Sequence, residues 1–250
     1  MTYEDINIIF EDNHLLVVVK PQNVPVCPDE SGDLDLLTML KQYRKNKEKK
    51  VGEAYLGLVH RLDRVTGGAM VFAKTSKCAE RLSEAIRERE MGKKYLAVLC
   101  GEPNEKKGTL VHHLLKNEKE NIVEVVPMAT EGAKRAELNY RVLSSVKGYS
   151  LVEVDLVTGR SHQIRAQFAS LNTPVFGDAK YGGDKTPKAP YIALWAAELR
   201  LTHPVSKENM VFRVYPPTDT VPWKAFKMDN ILEIDRPSGT LYDALNIITE

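Results

Sequence analysis

Residues 137 to 145 and 149 to 157 are two strand-like runs joined across Lys147-Gly148, and this pair constrains the fold more than any other local pattern in the chain. A two-residue link containing glycine joins antiparallel neighbours, so the segment predicts a β-hairpin. Other segments follow suit. The apolar run 15 to 19 reads as a buried strand ended by Lys20-Pro21, residues 69 to 74 and 95 to 99 read as strands, and 192 to 201 pairs with 210 to 215 in a last hairpin. Between them, Leu36, Leu37, Leu40 and Tyr43 recur at helical spacing behind Asp33, a predicted cap. Residues 76 to 90 predict a helix with Ala79, Leu82 and Ile86 on one face, and Ser161 is expected to cap one that turns Ile164, Phe168 and Leu171 inward. Many strands joined by turns, with few helices between, argue for an α+β protein built on a largely antiparallel sheet rather than a regular βαβ array.

No linker or repeat marks a boundary inside residues 1 to 227, which are expected to form one domain. Beyond it, residues 228 to 250 are expected to be an extension packed on that domain. Its Ile231, Leu232 and Ile234, then Leu241, Leu245 and Ile248, predict a short strand and a helix. A chain of 250 residues, 43% of them hydrophobic, can bury a substantial core. Its three cysteines, Cys27, Cys78 and Cys100, form no C-x-x-C pair, which argues against a zinc site or a disulfide framework and for a reducing, cytoplasmic setting. No leader pattern opens the chain and no apolar run approaches the roughly 18 residues of a membrane span, so no membrane association is expected. Net charge is only +1, yet residues 41 to 50 hold six basic residues against one acidic. That run reads either as a solvated helix end or as a loop that contacts phosphates.

Two segments carry chemistry. In residues 59 to 68, VHRLDRVTGG, one carboxylate, Asp63, sits between Arg61 and Arg64 ahead of a glycine pair. Opposite charges favour an ionised acid, so Asp63 is a candidate nucleophile or base, with a structural ion pair in a loop as the competing reading. About a hundred residues downstream, TGRSHQIR (158 to 165) meets the start of a predicted helix. His60 and His162 raise the question of a metal site with Asp63, but no third compact ligand motif accompanies them, and no metal is expected. The tripeptide-like HRLD also resembles a kinase catalytic loop, but a glycine-rich phosphate loop and a D-F-G element are both missing.

Together HRLDRVTGG and GRSHQIR closely resemble the RluA-type RNA pseudouridine synthases, whose core pattern is HRLDRxTSG followed by GRxHQIR. Supporting matches run in the family's order: FEDNHLLVVVKPQNVPV (10 to 26), GKKYLAVLCG (92 to 101), PVFGDAKYG (174 to 182) and THPVSKENMVFRVYPP (202 to 217). The resemblance implies a long bent mixed sheet with a catalytic cleft across its middle, and conversion of uridine to pseudouridine in ribosomal or transfer RNA. No cofactor is implied, and a monomer is the simpler expectation. An accessory S4 module has no room ahead of the pattern, so the catalytic domain itself is expected to grip RNA.

By the same resemblance Asp63 is the catalytic aspartate, Tyr95 the pocket tyrosine that stacks on the base or takes a sugar proton, and Arg165 the partner of Asp63. Arg61 is implied to enter the RNA stack in place of the extruded base, a role that a planar guanidinium suits. His60, Arg64, Arg160 and His162 are expected around the substrate. Lys20 either faces the cleft or ends its strand on the surface. Gly67, Gly68 and Gly159 read as backbone permissions for tight loops. The chain departs from the pattern in Gly67 for serine, Asn23 for glycine and Gln167 for histidine; Asn23 tolerates positive φ, so that turn survives. Two other readings remain open. One is a non-catalytic RNA-binding or folding protein with the same cleft, and the other is a carboxylate-based nucleoside or glycoside hydrolase, which would want a second catalytic acid.

Overall fold

The computed structural model describes residues 1–49, 51–226, 228 and 240–244, and the chain divides into two compact units. The first comprises Met1–Gly92, Ala196–Tyr215 and Pro237–Glu250; the second comprises Lys93–Trp195 and Pro216–Arg236.

The first unit opens with β1 (Ile8–Glu11) and β2 (Leu15–Lys20), then α1 (Leu36–Lys47), β3 (Gly57–Leu58), β4 (Gly67–Ala73) and α2 (Ser76–Arg87). All six residues of β2 and all seven of β4 are buried, as expected of strands covered on both faces. They pair antiparallel from Leu15 opposite Ala73 to Lys20 opposite Gly68. Helix α1 buries Leu36, Met39, Leu40 and Arg44. Its cap is Asp35, whose carboxylate accepts from the Thr38 N–H at 3.0 Å, and not Asp33 as the spacing predicted. Both residues can cap; tertiary contacts decide, because Asp33 is drawn into an ion pair with Arg64. The basic run is the C-terminal half of α1, where positive charge complements the helix dipole. Arg44 is buried against Glu48 and Lys47 binds Glu11 at 2.6 Å, so two of those cations are already engaged by the protein; Lys50 lies outside the described residues.

The second unit holds β5 (Gly92–Cys100), β6 (Lys107–Asn117), β7 (Ile122–Val126), β8 (Lys134–Val146), β9 (Tyr149–Leu156), α3 (Gln163–Ser170) and the single turn α4 (Ala179–Gly182). Its antiparallel order is β5-β9-β8-β6-β7. The predicted hairpin is β8–β9, and Lys147 and Gly148 take φ of 50° and 81°, the double positive φ of a type I′ turn. Strands β6 and β7, which the sequence pattern did not predict, form a second hairpin. Helix α3 packs Ala166 into a small core with Leu114, Val123 and Ala136. Leu171, expected inward, is 40% exposed at the helix end.

The chain then supplies β10 (Leu194–Thr202), which belongs to the first unit from Ala196 onward, and β11 (Asn209–Val214), its predicted hairpin partner. A final strand, β12 (Thr240–Ala244), pairs in parallel with β11, so Leu241 lies in a strand where the apolar spacing predicted a helix. Ile231, Leu232, Ile234, Leu245 and Ile248 lie outside the described residues. The architecture is thus α+β, mixed and mostly antiparallel, with helices flanking the strands. Among the described residues no helix is long and apolar enough to cross a membrane.

Candidate active site

In the first unit, Asp63 lies on the loop from β3 to β4. Leu62, only 7% exposed, anchors that loop, with Arg61 exposed and Asp63 partly buried on either side of it. A tight turn follows, closed by the Thr66 N–H donating to the Asp63 carbonyl at 3.0 Å. Three successive carbonyls beyond Asp63 are then held from below. The Lys20 Nζ donates to Arg64 O at 2.9 Å and Thr66 O at 2.8 Å, and Gln22 Nε2 donates to Val65 O at 3.0 Å. A third Lys20 bond, to Pro21 O at 2.8 Å, completes the ammonium's tripod.

Lys20 is therefore neither a cleft contact nor a surface strand end. Its side chain is fully buried, and its three N–H donors are spent on backbone. Strand β2 is buried along its whole length, which leaves a lysine at its end no route to solvent. Burial pulls the ammonium pKa down to about 7, while the nearby Asp63 carboxylate favours the charged form and Arg64 opposes it. Within this unit Lys20 is a buried cation close enough to feel the Asp63 charge. Arg64 turns elsewhere: its guanidinium binds Asp29 at 3.3 Å, the Ser31 hydroxyl at 2.8 Å, and Asp33. These contacts tie the 27 to 35 loop to the Asp63 loop. Hydrogen bonding from Arg64 in turn holds the Asp33 carboxyl below its usual range.

His60 is oriented by backbone. Its Nε2 accepts from the Val71 N–H at 3.1 Å, continuing the edge of β4 beyond the short β3. Gly68 is a genuine backbone requirement, because its φ is +121° and an added Cβ would lie 2.3 Å from the Ala196 carbonyl oxygen. Gly159 is not, having open space and no positive φ. Asn23 takes the expected positive φ, 63°.

In the second unit, Tyr95 is buried on β5 opposite Val154 of β9. His162 stands at the start of α3 in the left-handed region (φ 49°, ψ 20°) and replaces Ser161 as its cap residue, without a side-chain cap bond. Arg160 is exposed and donates from Nε to Arg135 O at 3.0 Å, while its own N–H is held by the Gln163 side chain at 3.0 Å. Arg165 is buried in the first turn of α3, with Nε 2.7 Å from Asp178 Oδ2 and Nη2 2.8 Å from Asp178 Oδ1. Tyr181 joins the cluster, with its hydroxyl 2.7 Å from His162 Nδ1 and its ring centroid 4.9 Å from the Arg165 Cζ. The sequence motifs assign no role to Gln22, Thr66, Asp178 or Tyr181. A signal was present for all four, since Gln22 lies in FEDNHLLVVVKPQNVPV, Thr66 in HRLDRVTGG, and Asp178 and Tyr181 in PVFGDAKYG.

Chemically, the first unit offers a carboxylate on a rigid loop beside a buried cation, and the second a rigidly oriented guanidinium and imidazole. The RNA pseudouridylate synthase family model matches residues 14–170, which include the Asp63 loop, Tyr95 and the GRSHQIR segment. An uncharacterized RNA pseudouridine synthase of Bacillus subtilis, YhcT, is 34% identical over 224 residues, covering 87% of this chain and 70% of that protein. Ribosomal large subunit pseudouridine synthase D of Zymomonas mobilis is 32% identical over 228 residues, 86% of this chain and 70% of that protein. Among solved structures, human RNA pseudouridylate synthase domain containing 4 matches with TM-score 0.67 at 26% identity, over 78% of this chain and 84% of that one. The fold is shared as well with human RNA pseudouridylate synthase domain containing 1, at TM-score 0.71 over 93% and 95% of the two chains and 24% identity. The chain belongs to the RNA pseudouridine synthases, in the RluA-type branch. Its activity is that of an isomerase acting on uridine in RNA.

Proposed function

We propose that Asp63 is the catalytic carboxylate of this isomerase and that Tyr95 and Arg165 serve the same reaction in the roles the resemblance implies. The glycosidic bond between uracil N1 and the sugar carbon breaks, the base turns, its C5 bonds to that carbon, and the C5 proton leaves to water. The balance needs no cofactor or metal. The observation that supports Asp63 most directly is the Lys20 and Gln22 bonding of the three carbonyls that follow it, which holds an otherwise irregular loop rigid. Arg61, exposed beside Asp63, is the candidate to fill the gap left by the flipped base. Arg160, His60 and His162 line the substrate, whereas Lys20 and Arg64 act on the loop.

Ribosomal RNA of the large subunit is the proposed substrate, on the strength of the relatives' names, with transfer RNA the comparison. The enzyme is proposed to work as a cytoplasmic monomer, with residues 1 to 227 as the catalytic domain and 228 to 250 as an extension. Transcripts tritiated at uridine C5 test the reaction, because only bond formation at C5 displaces the label. Release by the protein and its loss in Asp63→Asn are expected. Equal RNA binding by both proteins without release from either would reject catalysis in favour of a non-catalytic RNA-binding role, and free uracil would indicate hydrolysis.

A further inference from the structure

The GDAKYG segment (177 to 182) is built around two side chains of the GRSHQIR segment. Gly177 takes φ +78° with its Cα so near the Tyr191 carbonyl that an added Cβ would lie 2.4 Å from that oxygen. This close approach delivers Asp178, 1% exposed, to the Nε–Nη2 edge of Arg165, and the paired distances of 2.7 and 2.8 Å fix the guanidinium in plane as well as in place. One turn on, Tyr181 lays its ring against the same guanidinium, with the centroid 4.9 Å from Cζ.

The Tyr181 hydroxyl does a second job. It accepts from the Val123 N–H of β7 at 2.8 Å and is hydrogen-bonded to His162 Nδ1 at 2.7 Å. His162 occupies a left-handed backbone conformation that most side chains avoid, and a non-glycine residue persists there only where its surroundings over-determine it. The Tyr181 bond and the edge contact between the two rings, 5.6 Å apart at 82°, supply that determination.

We infer that Asp178 and Tyr181 are positioning residues of the isomerisation: Asp178 sets the plane of Arg165, and Tyr181 locks Arg165 and His162 together from one side chain. The inference rests on the reading that Arg165 serves the reaction. It predicts that both residues act on turnover through Arg165 and His162 and not through RNA affinity.

Release of tritium from pooled ribosomal and transfer RNA transcripts labelled at uridine C5 tests it, with kcat and KM measured separately and melting recorded for each variant. Tyr181→Phe keeps the ring and removes the hydroxyl, and Asp178→Asn keeps the shape and removes the charge. Misplacement of a reacting group by a fraction of an ångström to one ångström costs up to ~100-fold. Accordingly, kcat is expected to fall about 10-fold in Tyr181→Phe and about 100-fold in Asp178→Asn, with KM within about twofold. Arg165→Ala combined with Asp178→Asn should turn over no more slowly than Arg165→Ala alone, because an effect transmitted through Arg165 vanishes with it. Normal kcat in both single variants, or losses that multiply in the double variant, would overturn the inference. If Asp178→Asn does not fold, Tyr181→Phe and its combination with His162→Ala decide the question by the same two criteria, because the hydroxyl it removes is the one bonded to His162. Turnover that survives in Asp63→Asn and Arg165→Ala would instead reject the functional reading itself.

Discussion

Replacing Lys20 by methionine keeps the length of the side chain and removes its charge and all three donors. Hydrogen bonds to a charged group are worth about 1.5–3 kcal/mol each, so the bonds to Pro21, Arg64 and Thr66 contribute about 5–9 kcal/mol gross. Against this stands burial of the ammonium. The fall of its pKa from 10.5 to about 7 corresponds to about 5 kcal/mol. The difference predicts a destabilisation of about 2 kcal/mol, within a range of about 0–4, at neutral pH. Turnover should fall further than the folded fraction, because the three carbonyls after Asp63 lose two of their three donors. The sign of the pH dependence follows from linkage. A lysine whose folded pKa lies below 10.5 contributes relative stability above that value, and loses it as pH falls through about 7. The wild type should therefore gain on Lys20→Met as pH climbs from about 7 towards 10.5. Urea denaturation at several pH values and tritium release at 25 °C measure both effects. A variant with unchanged stability and kcat but a raised, salt-dependent KM would refute the reasoning and return Lys20 to the cleft-facing position that the sequence allowed.

Further tests probe the frame around the site. Gly68→Ala drives a Cβ to 2.3 Å from a backbone oxygen at φ +121°, and should cost about 2–4 kcal/mol by thermal melting. Phe168, fully buried and set edge-on to Tyr140 with centroids 5.5 Å apart, should cost about 3–5 kcal/mol when cut to alanine, read by urea titration. Glu11 tests acid stability. Burial alone would raise its pKa, but hydrogen bonds from Lys47, Lys74 and Tyr43 outweigh it and hold the carboxyl at about 2. After solvent screening its contribution of about 1–2 kcal/mol is present above pH 4.5 and disappears as pH falls towards 2, so Glu11→Gln should flatten the acid limb of stability against pH.

The residues alone determined the α+β class, the β8–β9 and β10–β11 hairpins, the buried β2, the strand β4, and the two motifs that carry the family. Each of these depends on local periodicity, turn chemistry or a contiguous string, which are properties a sequence displays directly. Only the tertiary structure decided which of two aspartates caps α1, since that turned on Arg64 reaching Asp33 from 31 positions away. It also decided what Lys20 does, because its acceptors at Arg64 and Thr66 lie 44 and 46 residues along the chain and burial removed every alternative. The same holds for Asp178 and Tyr181. A carboxylate and a phenol in a loop motif acquire partners only when a glycine lets that loop approach another backbone closely. Strand β12 makes the point in reverse, for apolar spacing that suited a helix was overruled by the open edge of β11, where backbone pairing decides conformation.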